Sequence, residues 1–141
     1  MSTDLKYIRT NRNEKDFYAL MGKFFGSRQV AKDLGMPMWD DPNREWLLCL
    51  DNDRPVACGS IEIKGENAVM KSGWVEEGYR GKGVYNTLFE LRMQLAKDSG
   101  VKIMRATVTE KSKNTFIRQG FRNNGMRGKY YMMKKELNED V

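Results

Sequence analysis

Val75-Glu-Glu-Gly-Tyr-Arg-Gly-Lys-Gly-Val-Tyr85 joins two different hydrophobic patterns. Upstream of it, apolar residues gather in the short runs Trp46–Leu50, Val56–Lys64 and Ala68–Val75. These are separated by Asp51-Asn-Asp-Arg54 and Gly65-Glu-Asn67. Short Asp/Asn/Gly connections between β-type runs predict antiparallel hairpins. Downstream, Val84, Leu88, Leu91 and Leu95 fall on one helical face, and Gly100 ends the run. Glycines between a strand and a helix let the backbone turn sharply with its N–H groups outward. The helix N-terminus adds unpaired donors and a partial positive charge, and Arg80 and Lys82 add full charges. This combination suits a pyrophosphate.

Outward from that segment, Leu5–Arg9 alternates like a first strand, and Asn13 is placed to cap a helix from Glu14 with Phe17, Leu20, Met21 and Phe24 on one face. A shorter helix is expected over Gln29–Leu34, closed by Gly35, before an irregular aromatic stretch, Met36-Pro-Met-Trp-Asp-Asp-Pro42. On the other side, Ile103–Val108 follows the long helix, so a parallel relation to an earlier strand is open to it. A helix over Ser112–Gln119 and a last strand over Lys129–Lys135 complete the order β-α-α-β-β-β-α-β-α-β, with one further strand at Phe121–Asn123 left open. The fold class expected is α+β (mixed α/β): a mixed, mostly antiparallel sheet flanked by helices.

No repeat or linker divides the chain, so residues 1–141 are read as a single domain. No apolar run reaches the roughly 20 residues of a spanning helix, and Met1-Ser-Thr-Asp-Leu-Lys6 lacks the pattern of a secretory signal. No membrane association and a cytoplasmic location are therefore expected. Cys49 and Cys58 sit in separate apolar segments and read as buried thiols. The sequence has no histidine, which excludes Ser-His-Asp and Cys-His catalysis and the histidine zinc motifs; no metal site is expected. The net charge of +6 attracts anions without choosing among phosphorylated ligands, nucleic acid and lipid.

Two familiar phosphate loops do not fit. A P-loop requires Ser or Thr after its lysine and a glycine at position 76, where the chain has Gly83 and Glu76. A dinucleotide fingerprint requires glycine at position 86, which is Asn. Instead, Tyr79-Arg-Gly-Lys-Gly-Val-Tyr85, with Val75 four residues before Tyr79, resembles the Arg/Gln-x-x-Gly-x-Gly/Ala acyl-CoA loop of the GNAT superfamily of N-acetyltransferases. Phe116-Ile-Arg-Gln-Gly-Phe121 is similar to that family's aromatic-x-x-x-Gly-Phe element, and Tyr131-Met-Met-Lys-Lys-Glu-Leu137 to its closing strand. The likeness runs from Trp46 onward.

The resemblance implies an acetyl-CoA-dependent transfer of an acetyl group to a primary amine, with acetyl-CoA as cosubstrate. It implies that N–H groups of Gly81, Lys82, Gly83, Val84 and Tyr85 hold the pyrophosphate and that Arg80 helps neutralise it. It also implies that the strand end at Trp74 and Val75 pairs with pantetheine, in a slot where this strand splays from Ile103–Val108, and that a backbone N–H there polarises the acyl carbonyl. Two positions depart from the family pattern. Tyr85 stands where the loop has Gly or Ala, and Phe116 stands where many members have a proton-donating tyrosine. Tyr130 and Tyr131 are the substitutes at hand, while Thr109 and Asn114 lie near a polar pantetheine contact.

An attacking amine must lose a proton, and without histidine the carboxylate bases are Glu62 and Glu110, with Glu62, mid-strand, preferred. Asp40 and Asp41 beside Trp39 are either acceptor contacts or solvated acids of an ordinary loop. Arg118, Arg122, Arg127 and Lys129 extend the phosphate site, bind nucleic acid or sit in water. The alternatives to an acyltransferase are a catalytically inactive CoA binder and a basic nucleic-acid-binding module on the same fold. Monomer and homodimer are both compatible with the sequence.

Overall fold

The computed structural model describes residues 5–137. Their order is β1 (Leu5–Thr10), α1 (Phe17–Phe25), α2 (Arg28–Leu34), β2 (Arg44–Asp51), β3 (Arg54–Lys64), β4 (Asn67–Val75), α3 (Val84–Asp98), β5 (Ile103–Val108), α4 (Glu110–Arg118), β6 (Arg122–Arg127) and β7 (Tyr130–Glu136). The strands line up as β1-β2-β3-β4-β5-β7-β6 in one sheet. Only β4 and β5 run parallel; the other neighbours are antiparallel, as the hairpin turns require. This is the mixed, mostly antiparallel sheet expected. The strand left open at 121–123 is present and longer, because Arg122–Arg127 pairs with β7 across Gly128.

Residues at alternate strand positions face opposite sides. One side carries α1 and α2, where Phe17, Met21, Phe24 and Val30 cover Trp46, Leu48 and Cys58. The other carries α3 and α4, where Phe89, Met93, Ala96 and Phe116 cover Ile61, Met70, Met104 and Met133. Leu47, Cys49, Ala57 and Val75 meet Val84 and Leu88 on that same side. No described helix is long and apolar enough to cross a membrane.

Two local expectations need correction. Asn13 does not cap α1; the Asn11 side chain accepts from the Asn13 N–H at 2.9 Å, a turn that delays the helix to Phe17. The buried face of α3 is also rotated from the 84-88-91-95 stripe. Val84, Leu88, Phe89, Arg92, Met93 and Ala96 are buried, whereas Leu91 and Leu95 are only partly so. The helix lies between two clusters of the sheet, so its covered face is wider than that four-residue stripe and includes a charged residue.

The feature that opens a site is the parting of β4 from β5. Their pairing runs from Asn67↔Ile103 to Met70↔Ala106 and then stops, although β4 continues to Val75 and β5 to Val108. The cause is in the β3–β4 register, which steps from Ser60↔Lys71 to Cys58↔Trp74. Two residues of β4, Ser72 and Gly73, thus oppose Gly59 alone. Such a bulge bends its strand and increases local twist, which carries the end of β4 away from its parallel neighbour.

Candidate functional site

The segment after β4 makes one 3-10 turn, Glu77–Tyr79, and reaches α3 through Gly81 and Gly83. Both glycines have positive φ, +76° and +84°, the left-handed region where a Cβ is costly. A Cβ at either would meet nothing within 4 Å, so the loop faces open space. Among the described residues, no N–H from Gly81 through Tyr85 meets a backbone carbonyl. Five donors are therefore presented at a helix N-terminus, with Lys82 exposed beside them. The open glycine loop expected at the head of the long helix is present.

Arg80 has a further engagement. Its Nε donates to the Val75 carbonyl at 2.7 Å, and its other end meets Asp33 of α2 at 2.9 Å. Asp33 also accepts from the Trp74 indole N–H at 2.9 Å. The Trp74 and Arg80 donors hold the Asp33 carboxyl below its ordinary range. One carboxylate thus ties α2 to the end of β4 and to the loop. Lys23, Ser27, Val30, Asp33, Trp74 and Glu76 are among the residues lining a cleft of about 360 Å³ on this side. Asp33 was not foreseen: a single acid on a short polar helix carries no sequence signal of a partner 47 residues away.

Tyr85 points inward rather than over the loop. Its ring lies against Gly73, where an added Cβ would sit 3.0 Å from Cε1. A side chain at the position where the loop pattern has Gly or Ala is thereby absorbed by the glycine of the bulge. Phe116 is 4% exposed and stacks edge-on with Phe89 and Phe121, both at 5.1 Å between ring centres. It is part of the core.

The candidate bases are set apart. Glu62 shares the α1–α2 face with Cys58, lies opposite Val69 where β4 and β5 are still paired, and meets Lys71 at 3.6 Å. Glu110 starts α4 just beyond β5, where it accepts from the Tyr131 hydroxyl and lies 3.7 Å from Lys113. The Tyr131 hydroxyl and the Lys113 charge hold the Glu110 carboxyl below its usual range, and Glu110 in turn raises the Tyr131 phenol. Tyr131 pairs with Val108 at the open end of β5, so it stands closer to the parted strands than position alone indicated. Thr109 caps α4, its side chain accepting from the Ser112 N–H.

The acids of the 36–42 stretch are structural. Asp40 accepts from the Trp46 indole at 2.8 Å and from Arg12 at 2.8 Å, while Asp41 is bound by buried Arg44 at 2.6 Å. Of the basic residues in the last third, Arg122 meets Glu136 at 3.5 Å and Arg118 meets Thr115 at 3.4 Å. β6 is exposed along its length, and its charges suit an edge strand.

Arg92 is the residue that sequence reading missed. It is 2% exposed on the sheet-facing side of α3. Its Nη1 donates to the Ser60 carbonyl at 3.2 Å and to that of Lys71 at 3.5 Å, and Nε to that of Leu88 at 3.3 Å; among the described residues Nη2 has no partner. Removing such a group from water costs on the order of several kcal/mol. The signal was available: an arginine one turn after Leu88, inside an otherwise apolar face.

A family model described as the acetyltransferase (GNAT) family matches residues 11–121. Among solved structures, Escherichia coli ElaA is 18% identical with a TM-score of 0.76, over 94% of this chain and 99% of that one. The PaiA N-acetyltransferase of Thermoplasma acidophilum, solved with coenzyme A, is 11% identical, with a TM-score of 0.68 over 97% and 100% of the two chains. A GNAT-family acetyltransferase of Elizabethkingia anophelis, solved with acetyl-CoA, is 16% identical, with a TM-score of 0.65 over 95% and 99%. At these identities the likeness is one of fold. No curated protein sequence matches the chain.

Proposed function

The chain belongs to the GNAT acetyltransferase family, and on that premise we propose that it transfers an acetyl group from acetyl-CoA to a primary amine by direct attack on the thioester. The observation that carries this reading is the row of free N–H groups from Gly81 to Tyr85 at the head of α3, next to the point where β4 and β5 part. In this reading the row and Lys82 hold the diphosphate. Trp74 and Val75 present the β4 main chain to pantetheine, so the Val75 carbonyl is shared between Arg80 and the ligand. Glu62 is the carboxylate that receives the amine proton, directly or through water. The whole described chain acts as one acyltransferase unit.

Burial of Phe116 in the aromatic core favours one second reading, a CoA binder without turnover. Calorimetric titration with acetyl-CoA followed by a thiol-release screen over amine classes separates the two. Saturable binding with turnover is expected. Binding without turnover on any amine supports the second reading, and no binding at millimolar CoA defeats both.

A further inference from the structure

We propose that Arg92 is the fixed positive charge that stabilises the coenzyme A thiolate as it leaves, an inference that rests on the acyl-transfer reading above. Space is kept for this guanidinium by two glycines. A Cβ at Gly59 would sit 2.8 Å from its Cζ, and one at Gly73 would sit 3.7 Å from Nη2. Gly73 belongs to the bulge at which β4 leaves β5, so the unpartnered Nη2 lies behind the wall of the parted strands.

The charge is uncompensated. Among the described residues Arg92 has no carboxylate partner; its donors end on three backbone carbonyls. From α3 it is faced by the rings of Tyr85 and Phe89, at 5.9 and 5.8 Å. From β3 it is faced by Gly59, while the Cys58 thiol lies on the opposite face against Met38, where burial pushes it so far up that it stays neutral. The Ser60 hydroxyl is spent on the Lys71 carbonyl, and the Lys71 and Glu62 side chains pair with each other on the opposite face. A buried cation without a counter-ion is costly, and its persistence is explained if an anion forms beside it during the reaction.

The chemistry supplies that anion. The amine nitrogen bonds the acyl carbon, the C–S bond breaks with its electron pair on sulfur, and the amine releases one proton to the base or to water. Sulfur departs as thiolate unless something protonates it, and Phe116 has no proton to give. A guanidinium does not deprotonate in this range, so it acts by charge and not as a general acid. A unit charge on the order of 7 Å from a thiolate, at an effective dielectric of about 20, lowers a thiol pKa by about 1.5 units.

The test compares coenzyme A with desulfo-coenzyme A, which lacks only the thiol, by calorimetry from about pH 6.5 to 10, across the range in which thiols ionise. In the wild type the affinity ratio of the two should rise by about tenfold or more across that range, as the bound thiol ionises early. Arg92→Gln, which keeps donors for the carbonyls, and Arg92→Met should both flatten that rise while binding desulfo-coenzyme A like the wild type. A flat wild-type ratio, an Arg92→Gln profile like the wild type, or loss of desulfo-coenzyme A binding in both variants overturns the proposal. A flattened profile in Tyr85→Phe with Arg92 intact also overturns it, moving the role to the phenol. If the wild type binds neither ligand, the acyl-transfer reading itself has failed.

Discussion

Replacing Gly83 by alanine separates what the loop costs in conformation from what it does for a ligand. Gly83 has φ +84° and ψ 1°, and an added Cβ meets nothing within 4 Å, so no packing clash contributes. What remains is the left-handed penalty of about 1–2 kcal/mol for a residue with a Cβ. For a chain of this length that corresponds to a loss of about 4–8 °C in melting temperature. The Cβ also stands in the open space that the five free N–H groups face. Affinity for coenzyme A should therefore fall by at least about tenfold, or about 1.4 kcal/mol. Gly65→Ala is the matched control: its φ is +62°, its Cβ is equally unobstructed, and it lies in the β3–β4 connection. Calorimetry and thermal melting on both variants read the two effects separately. The control should lose stability alone. If Gly83→Ala binds coenzyme A like the wild type, or Gly65→Ala loses affinity equally, the cradle is not where the ligand's phosphates sit.

Phe116→Tyr should not restore a proton donor, because the ring is enclosed by Phe89 and Phe121. A hydroxyl left unpaired there costs about 1–3 kcal/mol, seen as a lower melting temperature with unchanged or reduced turnover; a tenfold gain in rate would show that the ring reaches the slot. Glu76 carries a pH signature: Arg54, and then Lys23, hold its carboxyl below the ordinary 4.5. A depressed folded-state value means the contribution is complete above 4.5 and lost as pH falls through the lower folded value. The stability difference between wild type and Glu76→Gln should therefore be constant near neutrality and vanish in acid; a difference that grows in acid would contradict the pairing.

The antiparallel hairpins, the long helix and the glycine loop between them were legible from order and spacing alone, since turn chemistry and helical period are local properties. The open loop at the head of α3 was legible for the same reason: positive φ at Gly81 and Gly83 follows from a few adjacent residues. The position of Tyr131 at the rim of β5 was not, because it depends on pairing between strands separated by α4; nor were the reach of β6 across Gly128 and the commitment of Asp40 and Asp41 to nearby Trp46 and Arg44, because such short-range partners are chosen by the packing around them. Tertiary packing also decided what Arg80 and Arg92 do. Sequence offers two like charges near one helix; the fold hands the first to Asp33 and Val75 and seals the second behind Gly59 and Gly73. The physical reason is that a charge's role is set by its solvent and its partners, and both are assigned only when the sheet closes around it.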